Sequence, residues 1–452
     1  MIREIPHWTI FELCKVHLDS GVTGFGETMV YYTWGASSIT DEMIAKVVGR
    51  HPAEVMWDDS LGAGLQIALF DAAAKVLDVP LYQMLGKRHR DRCHVAWWDI
   101  DLPAADWISE CRLAIEQGYT SFKTKGRPWW DLVENTRRLC ATLPPHFEID
   151  MDFNGFGVDT AHCTRLLKEL EQFPNIVMYE SPIPHHDIAG YKFLRQQTSV
   201  PISMHTATHF GDASLEMAIR EEMCDGFVIC GGASRIIRET HLCQGFNKSV
   251  FLQIVGSRIA ANFALHLGAV LENARWPSVN CHQLYEHDCV TEPFIVSNGL
   301  APVPEAPGQG SRSMRTPSTI TASPQAQALF PAPACSSQSA GRRAPPPTTP
   351  TRSSTGTTGS ADVSPSSPRG SISSRSPMTT PRSGRISTTG SRKPPSTPPN
   401  PLLENRPCAD WFSCSGSGAE HVCGTRGGGV RRWCVRRRRG GGGNAVQVAW
   451  WW

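Results

Sequence analysis

At 452 residues the chain is long enough for two or three domains. Its net charge of +2 conceals two different polymers: residues 308–452 carry eighteen Arg and one Lys against four acids, net +15, whereas residues 1–307 carry 25 basic and 38 acidic residues, net −13. The 15 Cys argue against a disulfide framework, since ten lie in the body within apolar runs such as Phe227-Val-Ile-Cys230, where free thiols are usually buried; the start of the chain shows no signal-peptide h-region and no apolar run reaches about 18 residues, so no membrane span is indicated and the cytoplasm is the expected compartment.

Residues 1–90 read as an α+β unit. Trp8 to Leu18 has partial strand alternation, and Asp19-Ser-Gly-Val-Thr-Gly-Phe-Gly-Glu27 turns and returns as a hairpin. Residues 60–77 form a helical pattern rich in small residues, and Pro80-Leu-Tyr-Gln-Met-Leu-Gly86 adds a short helix with a glycine cap. From Cys93 to about Asp288, strands and helices alternate. Candidate strands cover 93–100, 119–125, 147–152, 176–181, 201–205, 226–230 and 250–255, with an eighth near 279–285. About eight such units predict a parallel sheet closed into a barrel over residues 91–307.

The stretch Phe147-Glu-Ile-Asp-Met-Asp-Phe-Asn-Gly155 is the most informative of these. Asp150 and Asp152 share one strand face, and Asp152 sits where the strand gives way to the Asn154-Gly155 turn signal. A carboxylate at the C-terminal end of a strand is where an α/β barrel keeps its chemistry. Taken alone, Asp152 could equally cap a helix, Glu180 could be an ion-pair partner, and Lys123 and Lys125 could be a solvated strand end. Trp97-Trp98 reads as packing or pocket lining, and His185, His186 and His209 as loop histidines at the surface.

Beyond Pro307, Pro, Ser, Thr, Gly and Arg dominate and hydrophobic periodicity is lost, which predicts a disordered tail over 308–452. Its arginine-rich, lysine-poor composition, with Arg436-Arg-Arg-Arg-Gly-Gly-Gly-Gly443, is what a GC-rich gene yields when read out of frame. A frameshift near codon 308 is the expected origin, ahead of a nucleic-acid-binding arm, which would want aromatic interleaving or a recognised module. Cys408, Cys414, Cys423 and Cys434 lack zinc-ligand spacing.

Taken in order, Gly21-Val-Thr-Gly-Phe-Gly-Glu27, the helix 60–77, Pro80 to Gly86 and Phe122-Lys-Thr-Lys125 precede Asp152-Phe-Asn154, Tyr179-Glu-Ser-Pro182, Pro201-Ile-Ser-Met-His205 and Gly231-Gly232. In that order they resemble the enolase superfamily, in its mandelate racemase/muconate lactonizing branch. The resemblance implies an α+β capping domain (1–90) before a modified (β/α)8 barrel (91–307). It implies that Asp152, Glu180 and His205, 28 and 25 residues apart, hold one Mg²⁺ or another divalent ion. It also implies that Lys123-x-Lys125 is the catalytic pair, with Lys125 as base, Lys123 as auxiliary, and the lysine pKa lowered by crowding. The implied reaction is abstraction of the proton α to the carboxylate of a small acid-sugar or hydroxy-acid substrate, leading to dehydration, racemisation or cycloisomerisation. Oligomeric state is not encoded in these motifs, although the family tends to associate through barrels and caps.

Three departures matter. Histidine stands at the third ligand position, and imidazole suits softer ions better than Mg²⁺. The sixth strand has no lysine, and the seventh offers Gln253 where the racemase type carries a histidine. A one-base reaction survives these changes better than a two-base racemisation, with His205 as the acid if it is not a ligand. The competing reading is a catalytically degenerate barrel acting as a binding or structural protein.

Overall fold

The computed structural model describes residues 11–29, 38–205, 213–285, 289–310, 419–424, 433–438 and 445–451. The expected surface histidine His209 lies outside these residues.

The chain opens with the antiparallel pair β1 (Phe11–His17) and β2 (Thr23–Met29). Helices α1 (Asp41–Val47), α2 (Pro52–Val55), α3 (Gly62–Val76) and α4 (Tyr82–Leu85) follow. Twelve of the fifteen residues of α3 are buried, so this helix is the core of the cap rather than an amphipathic cover. It lies against β2 at glycine distance: a Cβ at Gly24 would overlap the Ala68 carbonyl oxygen, and one at Gly26 the Gly64 carbonyl oxygen.

The barrel strands are β4 (Trp97–Trp98), β5 (Ser121–Lys125), β6 (Glu148–Asp152), β7 (Ile176–Glu180), β8 (Ile202–His205), β9 (Gly226–Ile229) and β10 (Ser249–Leu252). They form one parallel sheet in sequence order. Helices α5 (Ala104–Glu116), α6 (Leu132–Cys140), α7 (Thr160–Leu170), α8 (Ile188–Gln197), α9 (Leu215–Arg220), α10 (Ala233–Gly245) and α11 (Arg258–Val270) follow the strands in turn. Asp131, Asp159, Asp187 and Ser214 cap four of these helices with their side chains, satisfying otherwise orphaned first-turn amides.

Ring closure falls to a shorter segment than the eighth strand expected at 279–285. Ser278 bridges Val95 and Val279 bridges Gln253. Extension then stops because Cys281 adopts φ +61°, and a 3-10 turn takes over at His282–Leu284. The start of the expected first strand also leaves the barrel: β3 (Arg92–His94) pairs instead with β11 (Leu300–Pro302). The result is a modified TIM-type barrel preceded by an α+β cap.

Cap and barrel are joined by side chains of the first that serve helix starts of the second. Asp59 accepts from the amides of Ser234 and Arg235, and Gln66 from that of Ala233, at the start of α10. Glu27, fully buried, accepts from the Ala260 amide at 2.8 Å and from the Ser257 hydroxyl, at the start of α11. The helix dipole adds to each carboxylate contact. Asp59→Ala should therefore lower stability by about 1–2 kcal/mol, the usual worth of a cap. Urea titration measures this; an unchanged midpoint would mean the cap–barrel seam is held by packing alone.

Two departures concern the tail. Order extends past Pro307: the Gln309 amide donates to Asp71 Oδ1, its Nε2 donates to the Phe25 carbonyl, and Gly308 N donates to the Val79 carbonyl. For the expected disordered tail, residues 311–418, 425–432, 439–444 and 452 lie outside the described residues, and the described segments beyond 418 are three strands, β12 (Ala419–Gly424), β13 (Trp433–Arg438) and β14 (Ala445–Trp451). They extend the cap sheet in the order β12-β13-β14-β1-β2, with Phe11 opposite Trp451 and His17 opposite Ala445. Composition over 145 residues hid these short Val- and Trp-bearing runs, which suit a strand, and the outer edge of β1 supplied the partner. Among the described residues no helix is long and apolar enough to cross a membrane.

Two buried histidines tie stability to pH. His266 accepts the Tyr82 amide at Nδ1, and His282 Nε2 lies 3.0 Å from the Tyr119 hydroxyl. Burial pushes both down to about 3, with Arg258 adding to the effect at His282. An unfolded chain titrates near 6.5, so it binds more protons than the native one between pH 6.5 and 3. Stability is fully present above pH 6.5 and falls as pH drops through that window, by about 1.4 kcal/mol per unit per histidine. His266→Asn, which keeps an acceptor at the Nδ1 position, should flatten the acid limb of a stability–pH curve. A slope equal to that of the parent would refute this.

Candidate active site

The barrel register brings Lys125, Asp152, Glu180 and Ser203 into one row across β5, β6, β7 and β8. Alternation along each strand turns these side chains into the barrel, with Lys123 and Asp150 one step below. Lys125 Nζ lies 2.6 Å from Asp152 Oδ2 and 2.9 Å from Asn154 Oδ1. Lys123 Nζ lies 2.6 Å from Glu180 Oε2 and 3.4 Å from Asp152 Oδ2. The two lysines expected to form the catalytic pair thus meet two of the three expected ligands.

Asn154 organises the mouth of this row. Its backbone is left-handed, φ +49°, which aims the side chain back at the strand end. Its amide nitrogens donate to both Asp152 oxygens, while its Oδ1 accepts from Lys125 and from Arg127 Nη2. Arg127 is in turn paired with Asp101 and donates to the Phe153 carbonyl. Aromatic faces back the two ammonium groups: the Trp98 ring is 5.6 Å from Lys125 Nζ and the Phe251 ring 5.2 Å from Lys123 Nζ.

Charge balance in this buried cluster favours the acids, with Asp150, Asp152 and Glu180 facing two lysines. Burial pushes Glu180 well above the ordinary carboxylate range, and Asp152 adds to it. Asp150 is pushed up to about 7, first by burial and then by Asp152 despite the opposing pull of Lys123. Asp152 goes the other way: burial would raise it, but Lys125 and Lys123 outweigh burial and hold it low. The expected lowering of a lysine does not hold at Lys123. Burial alone would depress its ammonium, yet Glu180 and Asp152 win and keep it above its usual value.

His205, the third expected ligand, is the last residue of β8. Glu180 is level with Ser203, so His205 lies two residues further along β8. Its Nε2 is 3.2 Å from Gln253 Nε2, and its amide donates to Ser181 Oγ. Among the described residues no three His, Cys, Asp or Glu side chains converge as a metal-ligand set. The donor chemistry fits a hard divalent ion in part. Asp152 and Glu180 are adjacent carboxylates in an acid-rich interior, and Glu180 Oε1 is buried without a hydrogen-bond partner. The imidazole fits it less well.

His185 is buried, its Nε2 3.0 Å from Ser181 Oγ, rather than at the surface. Arg127, Asn154 and Gln253 are the site residues to which the sequence attached no role. Asn154 was visible as a turn signal and as part of the Asp152-Phe-Asn154 motif, and Gln253 only as a missing histidine.

Comparison with known proteins gives four findings. Residues 106–314 match the family model described as enolase C-terminal domain-like. Over 343 residues the chain is 25% identical to a D-xylonate dehydratase of Haloferax volcanii, covering 66% of this chain and 82% of that protein. It is 27% identical over 291 residues to a D-galactonate dehydratase of Xanthomonas oryzae pv. oryzae, covering 58% and 72% respectively. Among solved structures, a muconate lactonizing enzyme from Pseudomonas fluorescens, complexed with muconolactone, superposes with TM-score 0.58 at 20% identity, over 68% of this chain and 89% of that one.

Proposed function

We propose, on the premise that this chain belongs to the enolase superfamily in its mandelate racemase/muconate lactonizing branch, that it removes the proton α to the carboxylate of an acid sugar and eliminates water. The named relatives are acid-sugar dehydratases, which favours dehydration over racemisation or cycloisomerisation. The observation that carries the reading is Lys125 at the C-terminal end of β5, clamped by Asp152 and Asn154 and backed by Trp98.

In this reading Lys125 Nζ takes the α-proton. Asp152 and Asn154 hold that nitrogen in one position, so the encounter with the Cα–H bond costs little further ordering. Lys123 keeps its proton, and its charge stabilises the negative charge that builds on the substrate. Asp152 and Glu180 are the residues that would hold a divalent cation, most simply Mg²⁺. The chemistry such an ion supplies is positive charge beside the substrate carboxylate, which eases loss of the α-proton. The absence of a lysine or histidine base on β9 and at Gln253 fits a one-base elimination. Loss of the C2 proton and the C3 hydroxide from a 2,3-dihydroxy acid gives an enol that tautomerises to a 2-oxo-3-deoxy acid.

The test is a panel of five- and six-carbon aldonic acids incubated in D2O with and without Mg²⁺. Release of a 2-oxo acid, or incorporation of deuterium at C2, is expected only with Mg²⁺. Neither product nor exchange from any acid, together with no Mg²⁺ binding by calorimetry, would leave the degenerate barrel, a binding protein, as the standing reading.

A further inference from the structure

We infer that Gln253 is a positioning residue of this site: it ties Lys123 to His205, engages the His205 Nε2 lone pair so that the ring proton sits on Nδ1, and keeps Nε2 out of the metal's ligand set. The inference deepens the function proposed above and rests on that reading for its catalytic meaning, but its evidence is separate.

Gln253 follows β10 and is fixed by its backbone, donating to the Ile229 carbonyl and bridging Val279. Its side chain spans two neighbours. Lys123 Nζ donates to Oε1 at 2.9 Å, and Nε2 lies 3.2 Å from His205 Nε2. A lysine ammonium has donors only, so it admits just one orientation of the amide, with the oxygen towards Lys123. The lysine cannot turn away cheaply, because Glu180 holds the same nitrogen at 2.6 Å. The amide nitrogen must therefore face the histidine, and it too has donors only.

A ring nitrogen that accepts a hydrogen bond carries no proton. His205 Nε2 is thus the acceptor, and a neutral ring must carry its proton on Nδ1. The other tautomer and the imidazolium would both set two N–H donors against each other at 3.2 Å. The lone pair that an ion would need at Nε2 is already engaged. The main chain adds to the fixation, since the His205 amide donates to Ser181 Oγ. One continuous set of contacts, Glu180–Lys123–Gln253–His205, thereby crosses the barrel from β7 to β8 by way of β5 and the end of β10. Glutamine at 253 is what this arrangement needs, an acceptor at one end and a donor at the other.

The test reads the tautomer directly. Protein labelled with 15N-histidine is examined by long-range proton–nitrogen correlation, with the His205 signals assigned by their loss in His205→Ala. The expected result for the parent is an unprotonated Nε2 and a protonated Nδ1. Gln253→Glu puts acceptors at both ends, so His205 should become protonated at Nε2; Gln253→Leu should give a tautomer mixture. A parent His205 protonated at Nε2, or a pattern that survives both substitutions, overturns the inference.

Calorimetry with Mg²⁺ supplies the second arm. His205→Ala should keep affinity within about twofold of the parent, while Asp152→Asn should lose more than the roughly 10- to 100-fold that outer-shell changes cause. Equal losses in the two variants would make His205 a ligand and refute the proposal. If the parent binds no Mg²⁺, the metal-dependent function fails while the tautomer spectra still decide the role of Gln253.

Discussion

Lys125→Ala should slow α-proton exchange by roughly 10²- to 10⁴-fold, the range that a positioned general base contributes. Lys125 Nζ sits at the end of β5 with two fixed acceptors, Asp152 Oδ2 and Asn154 Oδ1. The Trp98 ring closes one side. Alanine removes the base and leaves Asp152 with Lys123 and Asn154 as partners. Lys125→Arg separates chemistry from structure: a guanidinium keeps the charge beside Asp152 but does not give up its proton in a protein. Arginine should therefore preserve the melting temperature and still lose exchange to a similar extent. The measurement is deuterium incorporation at C2 by proton NMR with the acid that the substrate panel identifies. Exchange within a few-fold of the parent in either variant would place the base elsewhere.

Lys123→Met should destabilise the fold by about 3–5 kcal/mol at neutral pH, the cost of leaving a buried charge without its partner. Lys123 is fully buried and lies against Glu180, Asp152 and Gln253 at once. Without it, Lys125 alone faces three buried carboxyl groups. Two signatures set this apart from a plain packing defect. Asp150 and Glu180 are already raised above their usual values, and losing Lys123 raises them further. A carboxyl group raised in the native state contributes stability that is present at low pH and lost as pH rises. The variant should accordingly be most destabilised at pH 8 and least at pH 5, the reverse of the trend that His266 and His282 impose on the parent. Mg²⁺ should also raise the melting temperature of Lys123→Met, because an ion that binds only the native state stabilises it by mass action. Melting scans over pH, with and without Mg²⁺, check both signatures. A flat pH profile and no response to Mg²⁺ would show that the acid cluster is neither charged nor able to hold an ion.

Much of the fold was legible because strand and helix periods are local. Seven of the eight expected barrel strands fall within or across their predicted ranges, since Val/Ile/Phe runs bounded by turns must be buried on both faces in a parallel sheet. The pairing of Lys125 with Asp152 was also within reach. Alternation puts Lys123 and Lys125 on one face of their strand and Asp150 and Asp152 on one face of the next, and consecutive βα units lie side by side. The sequence by itself thus determined a capped α/β barrel with lysines and carboxylates at its strand ends.

Tertiary structure decided what depends on stagger between strands and on contacts across the barrel. Intervals of 28 and 25 residues count one unit each but carry no register, so they did not show that Ser203, not His205, is level with Glu180. Gln253 lies 130 residues from Lys123 and 48 from His205, and no local pattern reveals a side chain shared between them. The same reason hid Asp59, Gln66 and Glu27 as caps of helices more than 160 residues away. It also hid the tail strands, whose formation required an edge on β1 that lies more than 400 residues earlier in the chain. A strand's own period says which way a side chain points, and only the assembled barrel says what it meets there.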